Sequence, residues 1–180
     1  MHRKDLLLKL EEYDPVYEVE KKFKASFIDF VRANPNCFER SLEEGHVTGS
    51  AWIVNQDRTK VLLTHHKKLD RWLQLGGHAD GEPDIVKVAT QEAMEESGLE
   101  SLTLLSSKIF DIDIHPIPAR GNDPRHLHYD ARFLFEADEG ELFHVSSESK
   151  NLAWITLGDV NCFTDHNNAI SRMTEKLIKR

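Results

Sequence analysis

The first third of the chain carries its apolar residues at helical spacing. Residues 3–13 (RKDLLLKLEEY) and 15–33 (PVYEVEKKFKASFIDFVRA) predict two helices. In the second, Val16, Val19, Phe23, Phe27 and Val31 recur every three or four positions, which places an apolar stripe on one face. Pro15 suits its first turn, where a missing N–H costs nothing, and the Asn34-Pro35-Asn36 cluster stops it. From about residue 46 the texture changes to β-branched and aromatic runs. Strands are predicted over 46–54, 60–66 and 71–75, with a turn at Asn55 to Arg58. A helix follows from about Pro83 to Ser97, with Gly98 as its C-terminal cap. Strands return at about 102–114, 126–137 and 152–157, and residues 116–125 read as a long loop of the kind that shapes sites. A last helix, about 164–179, carries Ile170, Met173 and Ile178 on one side. Strands with helices before, between and after them predict a layered α/β domain.

Composition narrows the partners. Of 180 residues, 39% are hydrophobic, enough for a real core. The net charge of −8 argues against nucleic-acid polymers and anionic membranes, which call for a basic face. An acidic chain acting on an anionic substrate would need a cation to hold it. The two cysteines, Cys37 and Cys162, lie apart with no finger spacing, so a reducing compartment is expected. The apolar run near the N-terminus is short and broken by charges, unlike a signal peptide or membrane span. A cytoplasmic location is the expectation.

The predicted helix from Pro83 carries Glu92, Glu95 and Glu96 at i, i+3 and i+4, so their carboxylates share a face. Three like charges repel unless something neutralises them. Mg²⁺ or Mn²⁺ does so, because both favour oxygen ligands and both bind phosphate oxygens as well. On its own, such a face is better explained by solvation. Its surroundings change that reading. A strand and the Gly76-Gly77 pair precede the helix, and Gly98 closes it.

The segment GHADGEPDIVKVATQEAMEESGL (77–99) resembles the Nudix box, G-x5-E-x7-R-E-U-x-E-E-x-G-U, where U is apolar. Gly77, Glu92, Ala93, Glu95, Glu96, Gly98 and Leu99 fall in register. Trp72 before the glycine pair, Trp154 on a late strand, and the GHVTGSAW and LGGHADGEPD segments resemble a bacterial Nudix subgroup whose substrates are poorly defined. Two positions depart from the box, with Pro83 at its first glutamate and Gln91 at its arginine. These two normally pair or brace the catalytic loop, so losing both together avoids an unpaired charge, and Glu82 or Asp84 stands ready to substitute in part. The resemblance implies a Nudix-type α/β/α sandwich with a mixed central sheet over residues 45–180, preceded by a helical extension, residues 1–44, packed on that core.

The same resemblance implies site roles. Glu92 and Glu96, often with Glu95 and the carbonyl of Gly77, would bind metal, and Glu148, six residues before Trp154, would be a further ligand or base. Glu92, Glu95 and Glu148 are then the catalytic candidates. The reaction would be attack of water on a phosphorus of a nucleoside diphosphate linked to another group. NTPs, ADP-ribose and similar nucleotides fit that description, bound by a monomer or a homodimer. Two alternatives remain: a binding module that kept the fold and lost turnover, and an enzyme like isopentenyl diphosphate isomerase, which needs a particular cysteine. Pro83 and Gln91 favour the first alternative, while the retained glutamates speak against it.

Ten histidines are present, and His65, His66, His78, His126 and His128 cluster near the glycine pair and the 126–137 strand. On that strand His126, His128, Asp130 and Arg132 alternate with Leu127, Tyr129, Ala131 and Phe133, so one face is buried and the other polar. The polar face is either solvent-exposed or part of a cleft. His78, His126, His128, Arg71 and Arg132 are the substrate-contact candidates, with solvated surface residues as the plainer reading. His126 and His128 at i, i+2 could also ligate a transition metal.

Overall fold

In a computed structural model of the chain, residues 2–121, 124–147 and 149–179 are described. The helices α1 (Lys4–Glu12) and α2 (Glu18–Ala33) come first, then β1 (Gly45–Asn55), β2 (Lys60–His66), β3 (Arg71–Leu73) and β4 (Leu75–His78). Helix α3 (Ile85–Ser97) leads into β5 (Thr103–Leu104), β6 (Asp111–Ile117), β7 (His126–Ala137) and β8 (Ser149–Thr156). Helices α4 (Val160–Phe163) and α5 (Asn168–Ile178) end the chain.

The strands form one mixed sheet in the order β3-β2-β1-β7-β5, with β4 also on β1, β6 on β7 and β8 on β2. The long β1–β7 pair is parallel and runs from Gly45↔Leu127 to Asn55↔Ala137, and the other pairs are antiparallel. A sheet buried on both faces needs a layer on each side. One apolar cluster joins Val47, Ala51, Ile53 and Phe133 to α1, α2 and α3. The other joins Trp52, Val54, Leu63 and Leu134 to Val160, Ile170 and Met173 of α4 and α5. Odd positions of β1 thus face α3, and even positions face the opposite side, as strand geometry requires. Among the described residues no helix is long and apolar enough to cross a membrane.

Several expectations shift. Helix α2 starts at Glu18 rather than Pro15, because the Glu20 carboxylate accepts from the backbone N–H groups of Val16 (2.8 Å) and Tyr17 (2.9 Å) and caps it there. Its buried stripe is Glu20, Phe27, Phe30 and Val31, whereas Val16 and Val19 are exposed. Glu20 takes the inward place because it meets Lys176 and Arg172 of α5, and the hydroxyl of Tyr13 donates to it at 2.6 Å. In α5, Leu177 rather than Ile178 joins Ile170 and Met173 in the core, at steps of three and four. The run expected as one strand over 102–114 is two strands, and β6 extends to Ile117 with Pro116 inside it. Proline is tolerated there because, among the described residues, β6 pairs with β7 alone and its other edge needs no N–H donor.

Candidate active site

Strand β4 supplies the glycine pair. It lies antiparallel to β1, with Gly76 opposite Ser50 and Gly77 opposite Gly49. A side chain at Gly76 would sit 2.4 Å from the Ser50 hydroxyl and 2.7 Å from the Gly49 carbonyl oxygen. At Gly49 it would strike Ile85 and Val88 of α3, so Gly49 lets the helix lie close on the strand, while Gly76 lets β4 lie close on β1. Helix α3 begins at Asp84, whose side chain accepts from the Lys87 N–H at 3.1 Å, and ends at Gly98 in the left-handed region with φ 70°. Ile85, Val88, Ala89 and Ala93 are buried against the sheet.

The same packing brings the carboxylates to the glycines. A Cβ built on Gly77 would lie 2.3 Å from the carboxyl carbon of Glu92, so Glu92 occupies the space the glycine leaves. Glu96 accepts from the Gly76 N–H at 3.0 Å. Both are half-buried, while Glu95 is exposed. Two half-buried carboxylates against a backbone strand form an all-oxygen donor set, which fits a hard divalent cation. Glu148 lies outside the described residues. Pro83 precedes the Asp84 cap, and Gln91 is exposed. Glu82 accepts from the Asp84 N–H at 3.0 Å and pairs with Lys87, so Glu82 and Asp84 serve the start of the helix.

The histidines gather on the other face of the sheet. Gly77 faces α3, so His78, the next residue, projects oppositely. The register sets His78 opposite Thr48, His46 beside His128, and His115 opposite His128. Ring centroids of His46, His78 and His128 are 4.9–5.0 Å apart in every pairing, and His126 lies 4.9 Å from His46. Both ring nitrogens of His46 and Nε2 of His128 are buried without a hydrogen-bond partner. An orphaned polar atom of this kind costs about 1–3 kcal/mol. Burial, with the neighbouring histidines, pushes His46 down to about 4 and His128 down to about 2. His46 and His115 escaped the sequence reading because they come from distant segments, and only the strand register brings them in.

Further along the same face the polar residues of β7 are buried, neither solvated nor in a cleft. Asp130 accepts from Thr48 (2.9 Å), Ser50 (2.8 Å) and Arg132 (2.7 Å). Arg132, 3% exposed, also meets Asp111 at 3.1 Å and Asp113 at 3.3 Å. Burial disfavours its charge, but Asp113, Asp130 and Asp111 more than offset this and raise its pKa. Arg132 is therefore a bound internal cation and is not presented to a phosphate, contrary to the expectation from its alternation. Arg71 is exposed at the start of β3, opposite His66. Cys37 is buried and its thiol is pushed up to about 11 by desolvation, and Cys162 is exposed in α4.

Fold and site together place the chain in an α/β class in which glutamates of one helix are braced against a glycine strand. A family model for the NUDIX domain matches residues 45–177, and the chain belongs to that family. No curated protein matches the sequence. Among solved structures, a Clostridium perfringens NUDIX-family hydrolase is 27% identical over 74% of this chain and 97% of its own, with a TM-score of 0.51. A C. elegans Ap4A hydrolase binary complex is 20% identical over 74% of this chain and 95% of its own, with a TM-score of 0.59. The E. coli dihydroneopterin triphosphate pyrophosphohydrolase is 14% identical over 74% and 96%, with a TM-score of 0.58.

Proposed function

We propose that the chain is a Mg²⁺- or Mn²⁺-dependent hydrolase that cleaves the diphosphate bond of a nucleoside diphosphate linked to a further group. The observation that carries this reading is the seating of Glu92 and Glu96 on Gly77 and Gly76. In support, the substrates named for two of the structural neighbours, Ap4A and dihydroneopterin triphosphate, contain phosphoanhydride bonds.

Glu92 and Glu96, with Glu95 and the Gly77 carbonyl at the rim, would hold the cation. When bound, the metal supplies charge neutralisation of the phosphates and a lowered pKa for the attacking water. Water adds to a phosphorus, the P–O bond to the bridging oxygen breaks, and the leaving phosphate carries that oxygen away. Glu95 or Glu148 takes the proton of the water. The exposed Arg71 supplies a contact to the substrate phosphates, whereas His78, His126 and His128, first expected beside it, lie together on the opposite sheet face.

The test is a panel of nucleoside triphosphates, ADP-ribose and dinucleoside polyphosphates, assayed with Mg²⁺ and with Mn²⁺. Release of a mononucleotide from at least one of them, lost in Glu96→Gln, is expected. No product from any of them, with ligand binding unchanged in Glu96→Gln, would leave a binding module as the correct reading.

A further inference from the structure

We propose that His46, His78 and His128 form a second metal site, built for a zinc-class transition-metal cation, on the sheet face opposite the carboxylate helix. Three neighbouring strands supply one ligand each: β4 gives His78, β1 gives His46 and β7 gives His128. One ring nitrogen from each lies within 4.8 Å of the others. Tetrahedral zinc with Zn–N near 2.1 Å would draw such nitrogens to about 3.4 Å apart.

His46 supplies the independent observation. It is 3% exposed, and neither of its nitrogens has a hydrogen-bond partner. A neutral imidazole carries one N–H and one lone pair. His46 is surrounded by other imidazoles, at 5.0 Å from His78 and 4.9 Å from His126 and His128. A shared cation satisfies several lone pairs at once. An all-imidazole set selects zinc, cobalt or nickel and is unsuited to magnesium, which demands oxygen. Three protein ligands leave one position for water or an anionic ligand. Since His78 and Gly77 are consecutive on a strand, the histidine site and the Glu92 site are separated by the sheet backbone.

The full chain, stripped with a chelator, is titrated with Co²⁺ in excess Mg²⁺ and followed by visible absorption. One Co²⁺ per chain with a band typical of low coordination is expected, displaced by one equivalent of Zn²⁺. His46→Ala and the milder His128→Gln, checked for folding by circular dichroism, should each weaken Co²⁺ binding at least about tenfold. Glu92→Gln and Glu96→Gln should keep the band. Competition by Mg²⁺ in the wild-type chain, an unchanged band in both histidine variants, or loss of the band in the glutamate variants would each overturn the site. A failed hydrolase reading would leave the band untouched, so the two outcomes are separable.

Discussion

Gly77 and Glu92 share one space: the carboxyl carbon of Glu92 lies 2.3 Å from where a side chain on Gly77 would begin. Alanine at 77 must therefore push the carboxylate off the strand. Gly77→Ala should lower kcat/KM by about 10–100-fold, in the range seen when groups that orient a metal ligand are lost. The thermal midpoint should move little, because Glu92 can swing outward to water. Steady-state kinetics beside a thermal melt check this. Unchanged kinetics would mean that Glu92 does not act from this position.

Glu95 and Glu96 are adjacent but differ in setting. Glu96 is tied to the Gly76 N–H at 3.0 Å, whereas Glu95 is exposed. Glu96→Gln should raise the Mg²⁺ concentration needed for half-maximal rate. Glu95→Gln, which removes only a rim ligand, should shift that midpoint less than Glu96→Gln does and, if Glu95 is the base, lower kcat by about 10²–10⁴-fold. A metal titration of both variants distinguishes them. A small kcat effect in Glu95→Gln transfers the role of base to Glu148.

The parts legible in the sequence are those whose signals are local. β2 and β7 have the predicted bounds because alternation and turn residues mark their ends. Helix α3 keeps its cap and its apolar face, since Gly98 and the three- and four-residue spacing both lie within one segment. What was not legible depends on long-range partners. Glu20 displaces Val16 and Val19 from the buried face of α2 because its cations come from α5. Arg132 looks like a surface cation until β6 places Asp111 and Asp113 beside it. His46 joins the histidines only through its register with β7.

The aspartates of β6 should make stability fall in acid, in a defined window. Burial opposes ionisation of Asp113, but Arg132, His115 and Arg172 hold its carboxyl well below the usual range. Asp111 is likewise held low by Arg172, Arg132 and Lys176. A depressed folded pKa gives stability that is fully present above the unfolded value, about 3.9, and lost as pH falls through the folded value. Asp113→Asn should cost on the order of 3 kcal/mol at neutral pH. The gap to wild type should hold from pH 7 to pH 5 and narrow below about pH 4. Urea midpoints at pH 7, 5 and 3 measure it, and an equal gap at all three would refute the ionic account.

Phe30 of α2 stacks on Tyr129 of β7 with ring centroids 3.8 Å apart and planes within 5°. Phe27 packs at 5.5 Å on the same tyrosine. The backbone is also joined here, since the Val47 N–H donates to the Cys37 carbonyl at 2.8 Å and the Gly81 N–H to that of Phe38 at 3.0 Å. These helices therefore cover an apolar sheet face that includes Val47, Ala131 and Phe133. Phe30→Ala should cost about 3–5 kcal/mol, the range for truncating a buried aromatic. Removal of residues 1–44 should expose the part of that face that α3 does not cover and give aggregated protein. Soluble yield and a calorimetric scan decide the matter. A truncated chain that melts cooperatively near the wild-type temperature would show that the helices are an accessory to a core that stands alone.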